Sequence, residues 1–204
     1  MGRNVTLRCA SCETKDCLNG KDCLADAERQ QALYDVPGVA RLHQAATAIE
    51  ARYYCKEPRV REVMLFAKEM GYRKLGLAFC IGLSQEAQFL ADVLSTEFEV
   101  ASVCCKVCGI DKKSLGLEQI VADRDRETMC NPAGQATLLN DAGTEFNILC
   151  GLCIGHDVIF SMVARAPTTT LIVKDRVLAH NPAGALYSRY LRRQLLPEKS
   201  GQTG

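Results

Sequence analysis

The sequence has almost no charge excess of either sign: 25 Lys and Arg stand against 24 Asp and Glu, a formal net charge of +1. With a pI near 7.5, it offers no basic surplus to draw it to nucleic acid or to an anionic membrane, and neither is an expected partner. Long apolar runs are also missing. The start, M-G-R-N-V-T-L-R-C, has no apolar h-region, and no later run approaches the roughly 20 apolar residues that span a bilayer. A cytoplasmic location is expected. No G-x-G-x-x-G or phosphate-binding loop follows the strand-like runs, so a nucleotide enzyme is the weakest functional class. At 204 residues the chain can form one domain with a full core and a small appendage.

What is present in excess is cysteine, 12 residues. A disulfide framework fits poorly with a chain that has no export signal, long helical patterns and enough length to bury a core without staples. Inert buried thiols account for some of the twelve but not for their clustering. Metal or cluster ligation in a reducing compartment fits best.

Four thiols lie in the first 23 residues, as Cys9-x2-Cys12-x4-Cys17-x5-Cys23 among polar residues. So short and polar a segment cannot bury a core, and a bound metal would supply the missing folding energy. Cys9, Cys12, Cys17 and Cys23 are therefore expected metal ligands. The spacing matches neither zinc ribbons nor ferredoxins, which leaves zinc and an iron–sulfur cluster both open.

Residues 24–72 read as helical. A short amphipathic segment from Leu24 to Tyr34 is ended by Pro37-Gly38, and a second helix, Val39 to Cys55, sets Val39, Leu42, Ala46, Ile49 and Tyr53 on one face. Pro58 suits the first turn of a third helix that ends at Gly71. His43 reads as a helix-surface side chain and Cys55 as a packed thiol.

Residues 73–196 read as α/β. Apolar runs at Leu75–Cys80, Glu97–Val103, Glu145–Cys153 and Thr168–Val173 predict strands separated by helices, hence right-handed parallel crossovers. Ser84 is the expected cap of the helix after the first strand, and Asn131-Pro132 of the helix from Ala133 to Asn140. Residues 110–127 read as a charged surface excursion, and residues 197–204 as a disordered tail. The expected fold is a small, mostly parallel Rossmann-like sheet with flanking helices, preceded by the cysteine-rich segment and the helical region.

Open sheets of this kind bind ligands at the carboxyl ends of their strands. Cys80, Cys104, Cys105, Cys130 and Cys153 all fall there. Cys104 and Cys105 are adjacent and so cannot project alike from a strand, which makes one a ligand and the other packing. In N-I-L-C-G-L-C-I-G-H-D, Asn147 to Asp157, Cys153 is the expected ligand and Cys150 the core residue. Cys130 precedes a helix start, where the dipole favours thiolate. An echo links Cys130-Asn-Pro-Ala-Gly to His180-Asn-Pro-Ala-Gly, and His156 and His180 are the expected proton carriers.

Together, Cys9-x2-Cys12, F-C-I-G-L, V-C-C-K, M-C-N-P, G-L-C-I-G-H-D and K-D-R-V-L-A-H-N-P resemble a family of uncharacterised cysteine-rich proteins. Its members occur mainly in anaerobic bacteria and archaea, are catalogued as a domain of unknown function and are often labelled metal-binding. The resemblance covers nearly the whole chain and implies metal binding without an activity. The order Cys80, Cys104-Cys105, Cys150-x2-Cys153 is also similar to the cysteine-rich cluster domains of heterodisulfide reductases. It departs from them at Lys106, where they carry glycine, and in having a single copy of the motif.

The expectation is thus a metalloprotein with a cysteine-ligated centre at the strand ends, a 4Fe-4S cluster before other metals, and zinc or a cluster at the N-terminal site. Electron transfer to a redox partner protein is the simplest function. Chemistry on a small-molecule substrate at an open iron, by sulfur transfer or Lewis-acid action, is the alternative, and a zinc-stabilised interaction protein or a metal-free thiol enzyme are the competing classes.

Overall fold

The computed structural model describes residues 7–196. The expected tail at 197–204 and the first six residues lie outside them. The chain divides into two compact units, Met1–Arg52 and Tyr53–Gly204.

In the first unit, two single turns of 3-10 helix (Cys9–Ser11 and Asp16–Asn19) precede α1 (Ala27–Gln31), a further 3-10 turn (Ala32–Asp35) and α2 (Pro37–Tyr53), which runs to the boundary. Pro37 and Gly38 open α2 where the sequence predicts a break, because a proline in the first turn forfeits no helical hydrogen bond. The Asp22 carboxylate nucleates α1 by accepting the N–H groups of Leu24, Asp26 and Ala27. The His43 ring lies on the helix surface, as expected, against Tyr34 with centroids 4.6 Å apart.

The second unit is an α/β layer structure. A four-stranded sheet in the order β2-β1-β3-β4 is built from β1 (Lys74–Phe79), β2 (Glu99–Cys104), β3 (Phe146–Cys150) and β4 (Thr168–Ile172), and all its pairs are parallel. The helices are α3 (Arg59–Met70), α4 (Ser84–Ser95), α5 (Pro132–Asp141), α6 (His156–Val163), α7 (Ala183–Tyr187) and α8 (Arg189–Leu195). This is the Rossmann-like arrangement the sequence predicts.

Period-two alternation along the central strands sorts side chains to two faces. Leu75, Leu77, Ile148 and Cys150 pack with Val63, Met64 and Ala67 of α3 and Leu90 and Leu94 of α4. Ala78 and Leu149 pack on the other face with Ala136 and Leu139 of α5 and Phe160 of α6. Phe146 closes one end by stacking on Tyr72.

Local chemistry departs from expectation at several ends. Gly71 does take the left-handed C-cap conformation, φ +72°. Ser84, by contrast, is the first residue of α4 and its side chain caps nothing. Cys55 is exposed rather than packed, with φ +56° just past α2. Strand β3 stops at Cys150 because Gly151 turns the chain at φ +67°, so Cys153 sits in the following turn and not on the strand. The terminal helix is broken in two at Ser188, which caps α8. The excursion at 110–127 holds one 3-10 turn, Lys112–Leu115, and returns through a bridge between Asp111 and Thr128.

Candidate thiolate site

The sheet order creates a topological switch. The chain leaves β1 to one side for β2, then crosses to the other side for β3, so the connections diverge above the carboxyl ends of β1 and β3. Cys80 follows β1, Cys150 ends β3 and Cys153 follows it. The two turns are stitched together, since the Cys80 N–H donates to the Cys150 carbonyl at 3.1 Å. Further bonds tie in the other two turns: Cys105 N–H to the Phe79 carbonyl (2.8 Å) and Asn131 N–H to the Cys105 carbonyl (2.7 Å).

This backbone network gathers three thiols from three turns. The Cys105 thiol is electrostatically coupled to both Cys80 and Cys130. It is the second cysteine of the adjacent pair that occupies the centre. Cys104 ends β2 and its sulfur accepts the Lys106 N–H at 3.5 Å. The Cys105 sulfur accepts the Ile81 N–H at 3.3 Å.

Exposure and charge are graded across the trio. Cys105 is 2% exposed and Cys80 6%, whereas Cys130 is half-buried. Hydrogen bonding from Cys105 lowers the Cys80 pKa to about 5, with help from the Gly82 N–H and the Lys174 ammonium and against the cost of burial. Cys130 is lowered to about 5 by the same Cys105 thiol, with Lys106 and His156 contributing. Cys105 is pushed the other way, since holding its proton serves both neighbours. The directions of these shifts favour the proton on Cys105 and thiolate at Cys80 and Cys130. Cys150, by contrast, is desolvated up to about 11 and belongs to the core.

Three cations that sequence reading passed over complete the site. Lys106 interacts with Cys130 and donates to the Thr128 carbonyl at 2.6 Å. Lys174 interacts with Cys80, and Arg176 donates from Nη2 to the Cys153 sulfur at 2.9 Å. The available signal was position: Lys174-Asp-Arg176 follows β4 at its carboxyl end, on the same edge as the thiols. Gln135 was also passed over. Its buried Nε2 donates to the Phe79 (3.2 Å) and Val103 (2.7 Å) carbonyls and so clamps the ends of β1 and β2 beneath the thiols.

His180 lies in the loop that follows β4. Its Nδ1 accepts the Asp175 N–H at 3.1 Å while its own N–H donates to the Asp175 carbonyl at 2.9 Å. Ala179 and His180 both hold positive φ, +48° and +64°. This reciprocal pair, with Asp175 Oδ1 accepting Val177 and Leu178 N–H groups, shapes the loop that carries Lys174 and Arg176. The echo with Cys130 is therefore one of sequence only: Asn131 caps α5 through Gly134 N–H at 2.9 Å, but α7 has no side-chain cap. His156 opens α6 near Cys130.

The N-terminal thiols of Cys9, Cys12, Cys17 and Cys23 are all exposed. Cys9 and Cys12 share one turn, with the Cys9 carbonyl accepting the Cys12 N–H (3.2 Å) and the Lys15 ammonium. Cys17 and Cys23 sulfurs lie against the carbonyls of Lys15 and Lys21. Among the described residues, no three His, Cys, Asp or Glu side chains are arranged to hold a single metal ion, here or at the strand ends. No helix among them is long and apolar enough to cross a membrane.

The family model described as "Protein of unknown function (DUF1847)" matches residues 19–171. An uncharacterized protein of Methanocaldococcus jannaschii, MJ0455, is 49% identical over 194 residues, covering 95% of this chain and 100% of its own length. No solved structure matches the chain.

Proposed function

For a chain that belongs to this family of proteins of unknown function, we propose that it is an iron–sulfur protein acting in redox chemistry, with a cysteine-ligated cluster at the carboxyl ends of the sheet. The observation that carries the reading is the meeting of Cys80, Cys105 and Cys130, from three separate turns, with two of them favoured as thiolates. Thiolate is the ligand form of cysteine, and soft sulfur donors select iron–sulfur, zinc or copper(I) over hard cations. A cluster is larger than a single ion, so its ligands need not crowd around one point. Cys153 is the fourth sulfur on this edge. Lys106, Lys174 and Arg176 offset the negative charge that a thiolate-bound cluster brings, and such hydrogen bonds and charges tune its potential.

When bound, a cluster supplies one-electron transfer, to a redox partner protein or to a small-molecule substrate. The chain's own residues do the rest. The hydrogen bonds among the turns hold the sulfurs in place, Gln135 keeps the two strand ends at fixed spacing, and the half-buried Cys130 marks the open side of the site.

The N-terminal cysteines we assign to a structural zinc or a second cluster. Among the described residues of that unit only Ala45 and Ile49 are buried apolar side chains, which is the case in which a metal supplies folding energy. The reading also places the protein in a reducing compartment such as the cytoplasm.

The test is anaerobic purification of the full chain, with iron, zinc and acid-labile sulfide measured beside absorption and electron paramagnetic resonance spectra. Iron and sulfide that fall away in Cys80→Ser, Cys105→Ser and Cys130→Ser are expected. Stoichiometric zinc with no iron would sink the cluster reading.

A further inference from the structure

We infer that the thiol trio, when no metal occupies it, is a dithiol–disulfide exchange site whose substrates are anionic disulfides of low molecular weight. The inference goes beyond the cluster reading and stands whether or not a cluster is found.

The geometry orders the roles. Cys130 is the half-buried member of the trio and precedes α5, a ten-residue helix capped by Asn131. It is the sulfur a substrate can reach. Cys105 is 2% exposed, so it is placed for a second step and closed to the first. Their backbones are already joined, through the Asn131 N–H on the Cys105 carbonyl at 2.7 Å. A bond between the two sulfurs therefore needs no long-range movement. Cys80, 6% exposed, precedes Ile81, whose N–H donates to the Cys105 sulfur at 3.3 Å.

The charge around the trio selects the substrate. Lys106 follows β2, Lys174 and Arg176 follow β4, and the three interact with Cys130, Cys80 and Cys153 in turn. Arg176 is exposed and Lys106 and Lys174 are half-buried, so their field reaches an approaching ligand. An opening lined by one sign of charge raises the local concentration of the opposite sign.

The steps balance. The Cys130 thiolate attacks one sulfur of the disulfide R–S–S–R, the S–S bond breaks, and R–S⁻ leaves and takes a proton from water. The mixed disulfide Cys130–S–S–R is then attacked at the Cys130 sulfur by Cys105. The Cys105 proton passes to the departing second R–S⁻. The protein dithiol is oxidised by two electrons, and the small disulfide is reduced to two thiols.

The experiment uses the full chain, reduced and freed of bound metal with a chelator. It is exposed without oxygen to dithiodipropionate, a dianion, or cystamine, a dication, and each cysteine is followed by peptide mapping. Each rate is divided by that of free cysteine with the same reagent. The expected product is a Cys105–Cys130 disulfide, formed about tenfold faster in normalised rate with the dianion. Lys106→Gln, Lys174→Gln and Arg176→Gln together should erase that preference. Cys105→Ser should stop at a mixed disulfide on Cys130, and Cys80→Ser should still form the Cys105–Cys130 bond. Circular dichroism confirms the fold of each variant. A lasting mixed disulfide on wild-type Cys130, an unchanged rate at Cys105 in Cys130→Ser, or equal normalised rates for the two reagents would overturn the inference. Iron and sulfide content, measured on untreated protein, decides the cluster reading separately.

Discussion

Arg176 donates from Nη2 to the sulfur of Cys153 at 2.9 Å, joining the turn after β4 to the turn after β3. A guanidinium in that position covers one side of the sulfur and fixes its direction. Arg176→Ala should therefore raise the rate at which Cys153 is alkylated by iodoacetamide, by about threefold for the loss of one charge-assisted hydrogen bond at a partly exposed site. Residue-resolved mass spectrometry would check it, with Cys108, exposed and outside this contact, as the internal standard. Arg176→Lys should restore little, because an ammonium lacks the planar fork.

The fold and half of the site were legible in the sequence, for local reasons. Four apolar runs with helices between them imply a parallel sheet, and Asn131-Pro132 announces a helix start that the structure keeps. Cys80 and Cys105 were visible because each ends a strand-like run, and Cys130 because it immediately precedes a helix start. What was not legible depends on contacts distant in sequence. Cys105 rather than Cys104 is central because the Phe79 carbonyl takes the Cys105 N–H, and no local pattern encodes that partner. Lys174 and Arg176 read as an ordinary charged turn. Only the sheet order, which brings β4 beside β3, places them near Cys80 and Cys153. The His180 echo does not extend to structure: the same four residues, Asn-Pro-Ala-Gly, start a ten-residue helix in one place and follow the left-handed pair Ala179 and His180 in the other.

His180 should behave as a loop brace. Its Nδ1 accepts the Asp175 N–H, and its backbone returns a bond to the Asp175 carbonyl. His180→Gly keeps a residue suited to φ +64° but removes the acceptor, while His180→Asn keeps a polar side chain that tolerates the left-handed region. Hydrogen exchange at the Asp175 amide should quicken by about tenfold in His180→Gly, equivalent to about 1.4 kcal/mol for one hydrogen bond, and by less in His180→Asn. An unchanged exchange rate in His180→Gly would show that the loop is held by the Asp175 carboxylate bonds alone.

The excursion before Cys130 should be acid-labile. Glu127 receives the Lys112 ammonium at 2.7 Å and the Ile120 N–H at 2.8 Å, contacts that hold its pKa below the ordinary value of 4.5. A depressed carboxylate contributes stability that is fully present above its unfolded value and lost as the pH falls through the lower folded one. Residues 110–128 should therefore stay closed at neutral pH and open to an acid-active protease such as pepsin only as the pH falls below the ordinary carboxylate value. Glu127→Gln should open the same segment at neutral pH, cleaved there by trypsin at Lys112 or Lys113, and should lose the pH dependence.

The tightest sequence requirement lies at Gly151, beneath the thiols. Its φ of +67° ends β3, and a Cβ there would collide with Cδ1 of the buried Leu83. Both neighbours are fixed: the Leu83 N–H donates to the Cys80 carbonyl at 2.8 Å and the Gly151 N–H to the Ile172 carbonyl at 2.7 Å. The backbone cannot retreat, so the side chain must. Gly151→Ala should cost about 2–3 kcal/mol, combining a left-handed alanine with an overpacked core. Urea unfolding would measure it as a lower midpoint with an unchanged slope. The clash share should be recoverable. Leu83→Ala alone opens a cavity and destabilises, but in the double variant the new methyl enters that space, so the two costs should fall short of their sum by about 1 kcal/mol. Strict additivity would mean that the conformational strain at residue 151, and not Leu83, makes glycine necessary where the chain turns toward Cys153.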